Sequence, residues 1–186
     1  MERSPSTAYD ASSPSFMTQP DSLSAGVAPL RLLFVCSGNT CRSPLAEALA
    51  RNLAPASNLG DVEVRSAGTS ALPGSPASGG ARRAAHRHGL SLEGHSATRL
   101  SPELVQWADK VLAMGPSQLE AVGALGGGEK AVLLGAFAEG VRPGGGAEDL
   151  AVPDPYGGDD EVYEETLEVL KHYVTLAMRR LAGESR

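Results

Sequence analysis

From residue 30 onward the chain alternates short continuous apolar runs with stretches whose apolar residues recur every three or four positions. Leu32, Leu33, Phe34 and Val35 form the first run, the pattern of a strand buried on both faces. After a Gly-containing turn, Pro44 opens a predicted helix on which Leu45, Ala46, Leu49 and Leu53 share a face, since Pro suits a first helical position. Val62 and Val64 predict a second strand that ends at Ser66-Ala67-Gly68-Thr69-Ser70, and Pro76 to His88 a helix stopped by Gly89. Ser101 with Pro102 starts a short helix leading to a strand over Lys110–Met114. Ser117 and Glu120 have capping-box spacing, and Ala131–Leu134 is the next apolar run. The last helix, from about Asp159 to Leu181, carries Val162, Thr166, Leu167, Leu170, Val174 and Ala177 on one face. Strands alternating with helices predict a three-layer α/β/α fold of the flavodoxin-like kind, with a small parallel sheet of about four strands.

Two segments depart from this rhythm. Residues 1–28 are rich in Ser, Pro, Ala and Thr without an apolar period, and are expected to form a disordered tail ahead of one domain over 29–186. Residues 139–160 form a long Gly- and Pro-rich connection, and ordered loops longer than about 12–15 residues are often functional.

Composition narrows the function. With 16 Lys+Arg against 22 Asp+Glu in 186 residues, the net charge of −6 argues against a general nucleic-acid surface. No stretch approaches the roughly 20 apolar residues of a membrane span, so a cytoplasmic protein is expected. Two cysteines are too few for a disulfide scaffold or a Cys-rich zinc module. His86 and His88 point to different faces of their predicted helix, and His95 and His172 stand alone, so no metal and no cofactor is expected.

Both cysteines fall in one short loop, Cys36-Ser37-Gly38-Asn39-Thr40-Cys41-Arg42-Ser43, between the first strand and its helix. Ligands of open parallel sheets bind outside the carboxyl ends of strands, where loop N–H groups and a helix N-terminus together attract an anion. Arg42 adds a planar fork for two phosphate oxygens. A field that attracts phosphate also stabilises a thiolate, which makes Cys36 a candidate nucleophile with Ser43 as a hydrogen-bond donor to it. The five residues between Cys36 and Arg42 can close a ring of N–H donors around three equatorial oxygens.

The segment FVCSGNTCRSPLAEAL resembles the active-site loop of the low-molecular-weight cysteine phosphatases, and SAGT at 66–69, KVLAM at 110–114 and Asp154-Pro155-Tyr156-Gly157 match that family in order. The resemblance covers roughly residues 30–182 and implies the phosphotyrosine phosphatase I-like form of the fold. It implies Asp154 as general acid, Tyr156 as a wall of the substrate cleft, Asn39 as a loop-shaping residue in left-handed conformation, and a phosphocysteine intermediate formed on phosphorylated protein substrates. Asp149 lies close enough to Asp154 to stand as the alternative acid.

Thr40 replaces the bulky aliphatic residue of tyrosine-directed members and resembles the protein-arginine phosphatases, whose loop also reads Gly-Asn-Thr-Cys-Arg-Ser. Protein phosphoarginine is therefore the expected substrate class, with protein phosphotyrosine the alternative. An arsenate reductase relying on an external thiol and a non-catalytic phosphate-binding module are lesser alternatives; no cysteine follows Cys41 to relay a disulfide. Family precedent also suggests Cys41 as redox partner of Cys36, trapping its oxidised form. A monomer is favoured.

Overall fold

The computed structural model describes residues 28–141 and 146–184 together with Met1; the predicted tail otherwise lies outside the described residues. Four parallel strands, β1 (Leu30–Cys36), β2 (Val62–Gly68), β3 (Lys110–Ala113) and β4 (Ala131–Leu133), stand in the order β2-β1-β3-β4. Six helices accompany them among the described residues: α1 (Arg42–Leu53), α2 (Gly79–Arg87), α3 (Pro102–Trp107), α4 (Pro116–Ala124), α5 (Leu134–Glu139) and α6 (Asp160–Glu184). The predicted three-layer α/β/α architecture is the one observed.

The pleat of β1 divides the core. Leu32 and Phe34 pack with α1, α2, α5 and α6 through Leu45, Ala81, Leu134, Leu167 and Leu170. Leu33 and Val35 face the opposite way, against Val105 of α3 and Val122 of α4. Every one of the four β1 residues is fully buried, as the continuous apolar run requires. After β2 the chain crosses back over β1 to place β3 on its other side, so the β1–α1 loop emerges where the strand order reverses, the place where open α/β sheets bind ligands.

Several local expectations need correction. Helix α1 starts at Arg42 rather than Pro44, which occupies the third helical position; the first turn has no intrahelical N–H partners, so a Pro is tolerated there. Helix α2 starts at Gly79 rather than Pro76, capped by the Ser78 side chain on the Ala81 N–H. Ser117 lies inside α4, whose cap is Gly115 without a side-chain bond, so its spacing with Glu120 is no capping box. Helix α5 has no separate signal in the sequence, because the run Ala131–Leu134 passes from strand to helix without a polar break. On α6, Val162 is 37% exposed while Tyr163 is buried, so the apolar face begins one residue later than the periodicity suggested. Among the described residues no helix is long and apolar enough to cross a membrane.

Candidate active site

The β1–α1 loop closes a pocket of about 250 Å³ lined by Cys36, Ser37, Gly38, Thr40, Cys41, Arg42, Ser70, Asp154 and Tyr156. Asn39 and Ser43 lie beneath it, both fully buried. The loop predicted from sequence and the distant Asp154-Pro155-Tyr156 segment therefore meet in space. Asp149, the alternative acid, sits in the turn Ala147–Leu150 and does not line the pocket.

Asn39 organises the loop. Its φ of 54° is left-handed, which Asn adopts more readily than most residues, and it turns the chain so that its own N–H donates to Cys36 Sγ at 3.2 Å. Its side-chain amide is engaged at both ends: Nδ2 donates both hydrogens, to Ser43 Oγ and to Ser66 Oγ, each at 2.8 Å, and Oδ1 accepts the Thr98 N–H at 2.8 Å. His95 Nε2 donates to the Asn39 carbonyl at 2.7 Å. Ser66 in turn donates to Glu47. A fully satisfied buried network of this kind holds one loop geometry, since each broken bond would orphan a buried polar atom.

Cys36 Sγ sits at the end of β1 with Ser43 Oγ 3.0 Å away. The Ser43 hydroxyl accepts from Asn39, and its one hydrogen has two acceptors within reach, the sulfur at 3.0 Å and the Ala67 carbonyl at 3.3 Å. The loop rests directly on β2: a Cβ on Gly68 would stand 2.5 Å from the Ser37 carbonyl oxygen and 2.7 Å from the Asn39 nitrogen. This is the physical meaning of the glycine in the SAGT stretch, which lets strand and loop approach more closely than any side chain allows.

The Arg42 side chain is only 7% exposed. Nη1 donates to the Val152 carbonyl at 3.2 Å and Nη2 to Ser37 Oγ at 3.3 Å, and Nη2 also pairs with the Asp154 carboxylate. Nε is buried with no hydrogen-bond partner among the described residues. The Asp154 side chain is 47% exposed, with Oδ1 accepting the Tyr156 N–H at 3.3 Å. Tyr156 is 80% exposed at the rim.

Cys41, the residue ahead of α1, is buried; its Sγ donates to Ser78 Oγ at 3.2 Å and lies 3.5 Å from the Tyr163 hydroxyl. Burial pushes the Tyr163 phenol up from its ordinary value, and the Cys41 contact adds to the rise. Both cysteines are free.

Gln118, Thr98, Ser78 and Tyr163 support the loop without a signal in the sequence, and so does His95, which stands alone there. Each lies at least 37 residues from its partner in the loop and carries no local pattern of its own.

The pattern of the family described as "Low molecular weight phosphotyrosine protein phosphatase" matches residues 31–186. A protein-arginine-phosphatase of Geobacillus stearothermophilus is 35% identical over 158 residues, which are 84% of this chain and 99% of that relative. The low molecular weight protein-tyrosine-phosphatase Etp of Escherichia coli K12 is 34% identical over 142 residues, 75% of this chain and 86% of the relative. Among solved structures, the YwlE arginine phosphatase from Geobacillus stearothermophilus superposes with a TM-score of 0.74 at 34% identity, covering 84% of this chain and 96% of that one. Since the family match runs through both segments that wall the pocket, the chain belongs to the low molecular weight phosphotyrosine protein phosphatase family and is a protein phosphatase.

Proposed function

We propose that the protein hydrolyses phosphorylated side chains of proteins through a phosphocysteine intermediate. The observation that carries this reading is the placement of Cys36 Sγ, which has the Asn39 N–H and the Ser43 hydroxyl on it while Arg42 and Asp154 face the same pocket.

In the proposed reaction the phosphoryl group enters the ring of loop N–H groups from Ser37 to Ser43. Arg42 holds two equatorial oxygens and neutralises charge that builds in the transition state. The Cys36 thiolate attacks phosphorus in line, the bond to the leaving atom breaks, and Asp154 gives that atom its proton. Asp154, now a carboxylate, takes a proton from water as the water attacks phosphorus, which releases inorganic phosphate and restores the thiolate. Ser43 stabilises the thiolate in both half-reactions.

Phosphoarginine is the substrate class we favour. Thr40 lines the pocket with a small hydroxylated side chain, leaving room for a planar cationic guanidinium beside Asp154, and the Geobacillus relative that shares 35% of its residues is named a protein-arginine-phosphatase. Phosphotyrosine is the second reading, favoured by the tyrosine phosphatase name of the 34% identical Etp and by the aromatic Tyr156 at the rim. Rates on phosphoarginine and phosphotyrosine peptides, measured side by side, decide between them. A wild-type preference for phosphotyrosine overturns the arginine assignment.

Cys41 is proposed as the redox partner of Cys36. Peroxide oxidises the Cys36 thiolate to a sulfenic acid; condensation with the Cys41 thiol then forms a disulfide and expels water. Both thiols line one pocket, which supports the pairing. Activity regained with dithiothreitol after mild peroxide is expected to be lost in Cys41→Ala; equal recovery in the two proteins overturns it. A reducing compartment, the cytoplasm, suits an enzyme that depends on a free thiolate.

A further inference from the structure

We propose that Gln118 is a positioning residue that fixes the direction of the Arg42 guanidinium through the Ser37 hydroxyl, a role that rests on reading Arg42 as the clamp on the phosphoryl group. Gln118 lies in the first turn of α4, one layer away from the β1–α1 loop, and is only 7% exposed. A long amide buried to this degree is costly unless its donors are used. Both Nε2 hydrogens have acceptors: one goes to Ser117 Oγ at 3.0 Å and the other to Ser37 Oγ at 3.1 Å.

Ser37 Oγ also accepts from Arg42 Nη2 at 3.3 Å. A hydroxyl has two lone pairs and one hydrogen, so these two donors fill its acceptor capacity and leave its O–H to the remaining direction, at a residue that lines the pocket. Turning the hydroxyl would break a bond to Gln118 or to Arg42. Gln118 thereby holds Ser37 in one rotamer, and Ser37 holds one arm of the arginine fork.

The other partner of Nη2 is the Asp154 carboxylate, which is half exposed. Ser37 is thus the inner of the two partners of this nitrogen, and it stays when Asp154 turns to the leaving group. Gly115 makes room for the arrangement, since a Cβ there would stand 3.0 Å from Gln118 Oε1. A planar fork must match two oxygens at once, and misplacing a clamp by about 1 Å costs on the order of a hundredfold in rate. Loss of one outer support is expected to cost less.

The test uses the full chain as wild type, Gln118→Met, Ser37→Ala and the double variant. It compares kcat and KM on an aryl phosphate with the affinity for inorganic phosphate measured by calorimetry. Gln118→Met keeps the length and volume of the side chain and removes both donors. Each single variant is expected to lower kcat/KM about tenfold and weaken phosphate binding, and the double variant to be no worse than Ser37→Ala. Wild-type values in Gln118→Met, or the same fold-loss from it in the Ser37→Ala background, overturn the proposal.

Should Gln118→Met fold poorly, the nearly isosteric Gln118→Glu replaces donors by acceptors and is expected to show the same loss; a wild-type rate in it overturns the role. Arg42→Ala separates the role of the arginine clamp from that of its support. If it binds inorganic phosphate like the wild type, the clamp itself is misassigned, independently of what Gln118 does.

Discussion

The two segments that build the pocket are held in opposite ways. The β1–α1 loop is part of the interior: Asn39 and Ser43 are fully buried, and the Asn39 amide is bonded to Ser43, Ser66 and Thr98. The segment carrying Asp154 is a strap over the surface. Its anchor is Val152, buried and tied by its N–H to the Met114 carbonyl at 2.8 Å, while Asp154 and Tyr156 beyond it are exposed. A nucleophile that must meet phosphorus in line gains from a fixed position, whereas an acid that serves a leaving group and then a water gains from freedom to turn.

The largest effect is expected from removing the fixed element's reacting atom. Cys36→Ser leaves the loop but removes the proposed nucleophile, and turnover should fall by at least about four orders of magnitude, read as kcat on a phosphopeptide. Hydrolysis at the wild-type rate would refute the phosphocysteine mechanism. Asp154→Asn removes only the proposed proton donor, for which a loss of about 10²–10⁴-fold is expected. That loss should shrink on an activated aryl phosphate whose leaving group departs without a proton; an equal loss on both substrates would mean that Asp154 acts as something other than the acid.

Asn39→Ala sharpens the contrast between loop and strap. It orphans buried partners and places Ala at a left-handed φ, so about 2–4 kcal/mol of stability and several degrees of Tm should be lost together with activity. Asp154→Asn should leave Tm almost unchanged, and a similar melting loss in both variants would erase the distinction. Thr40→Ile concerns selection alone: it is expected to move the ratio of phosphoarginine to phosphotyrosine rates about tenfold toward phosphotyrosine, and an unchanged ratio means that Thr40 does not select.

The smallest effect belongs to the far end of the strap. Asp160, the first residue of α6, pairs with Arg83 and Arg87 of α2. The hydrogen bond from Arg83 holds the Asp160 carboxyl below its ordinary value. Its folded value being depressed, the pairing contributes stability above the unfolded value and loses it as pH falls through the folded one. Asp160→Asn should lower Tm by no more than a degree or two near neutral pH, and by nothing once both carboxyl states are protonated in acid. A larger drop would make the strap as rigidly anchored as the loop.

Much of the fold was legible because its signals are local. Leu32–Val35 must be buried on both faces, Ser101-Pro102 must start a helix, and the apolar period of α6 needs a partner whatever lies elsewhere. The reading failed where a tertiary contact outweighed the local signal. Tyr163 replaced Val162 on the buried face because its ring fills the space above Gly80, where a Cβ would stand 2.4 Å away, and its hydroxyl reaches Ser78 and Cys41. The run Ala131–Leu134 turned helical after Leu133 because Leu134 and Phe137 belong to the core beneath α6.

The same division holds for the site. Cys36, Asn39, Arg42 and Ser43 fall within eight residues between the end of β1 and the first turn of α1, a strand and a helix fixed by nearby residues, so sequence alone determined that these groups stand together. Whether Asp154 or Asp149 joined them, and that Gln118, His95 and Thr98 would hold the loop from behind, depended on side chains dozens of residues apart in the chain. Only the folded sheet brings those residues together, His95 and Thr98 from the side of β2 and Gln118 and Asp154 from beyond β3, because hydrogen bonds act over about 3 Å and leave no period in the sequence that makes them.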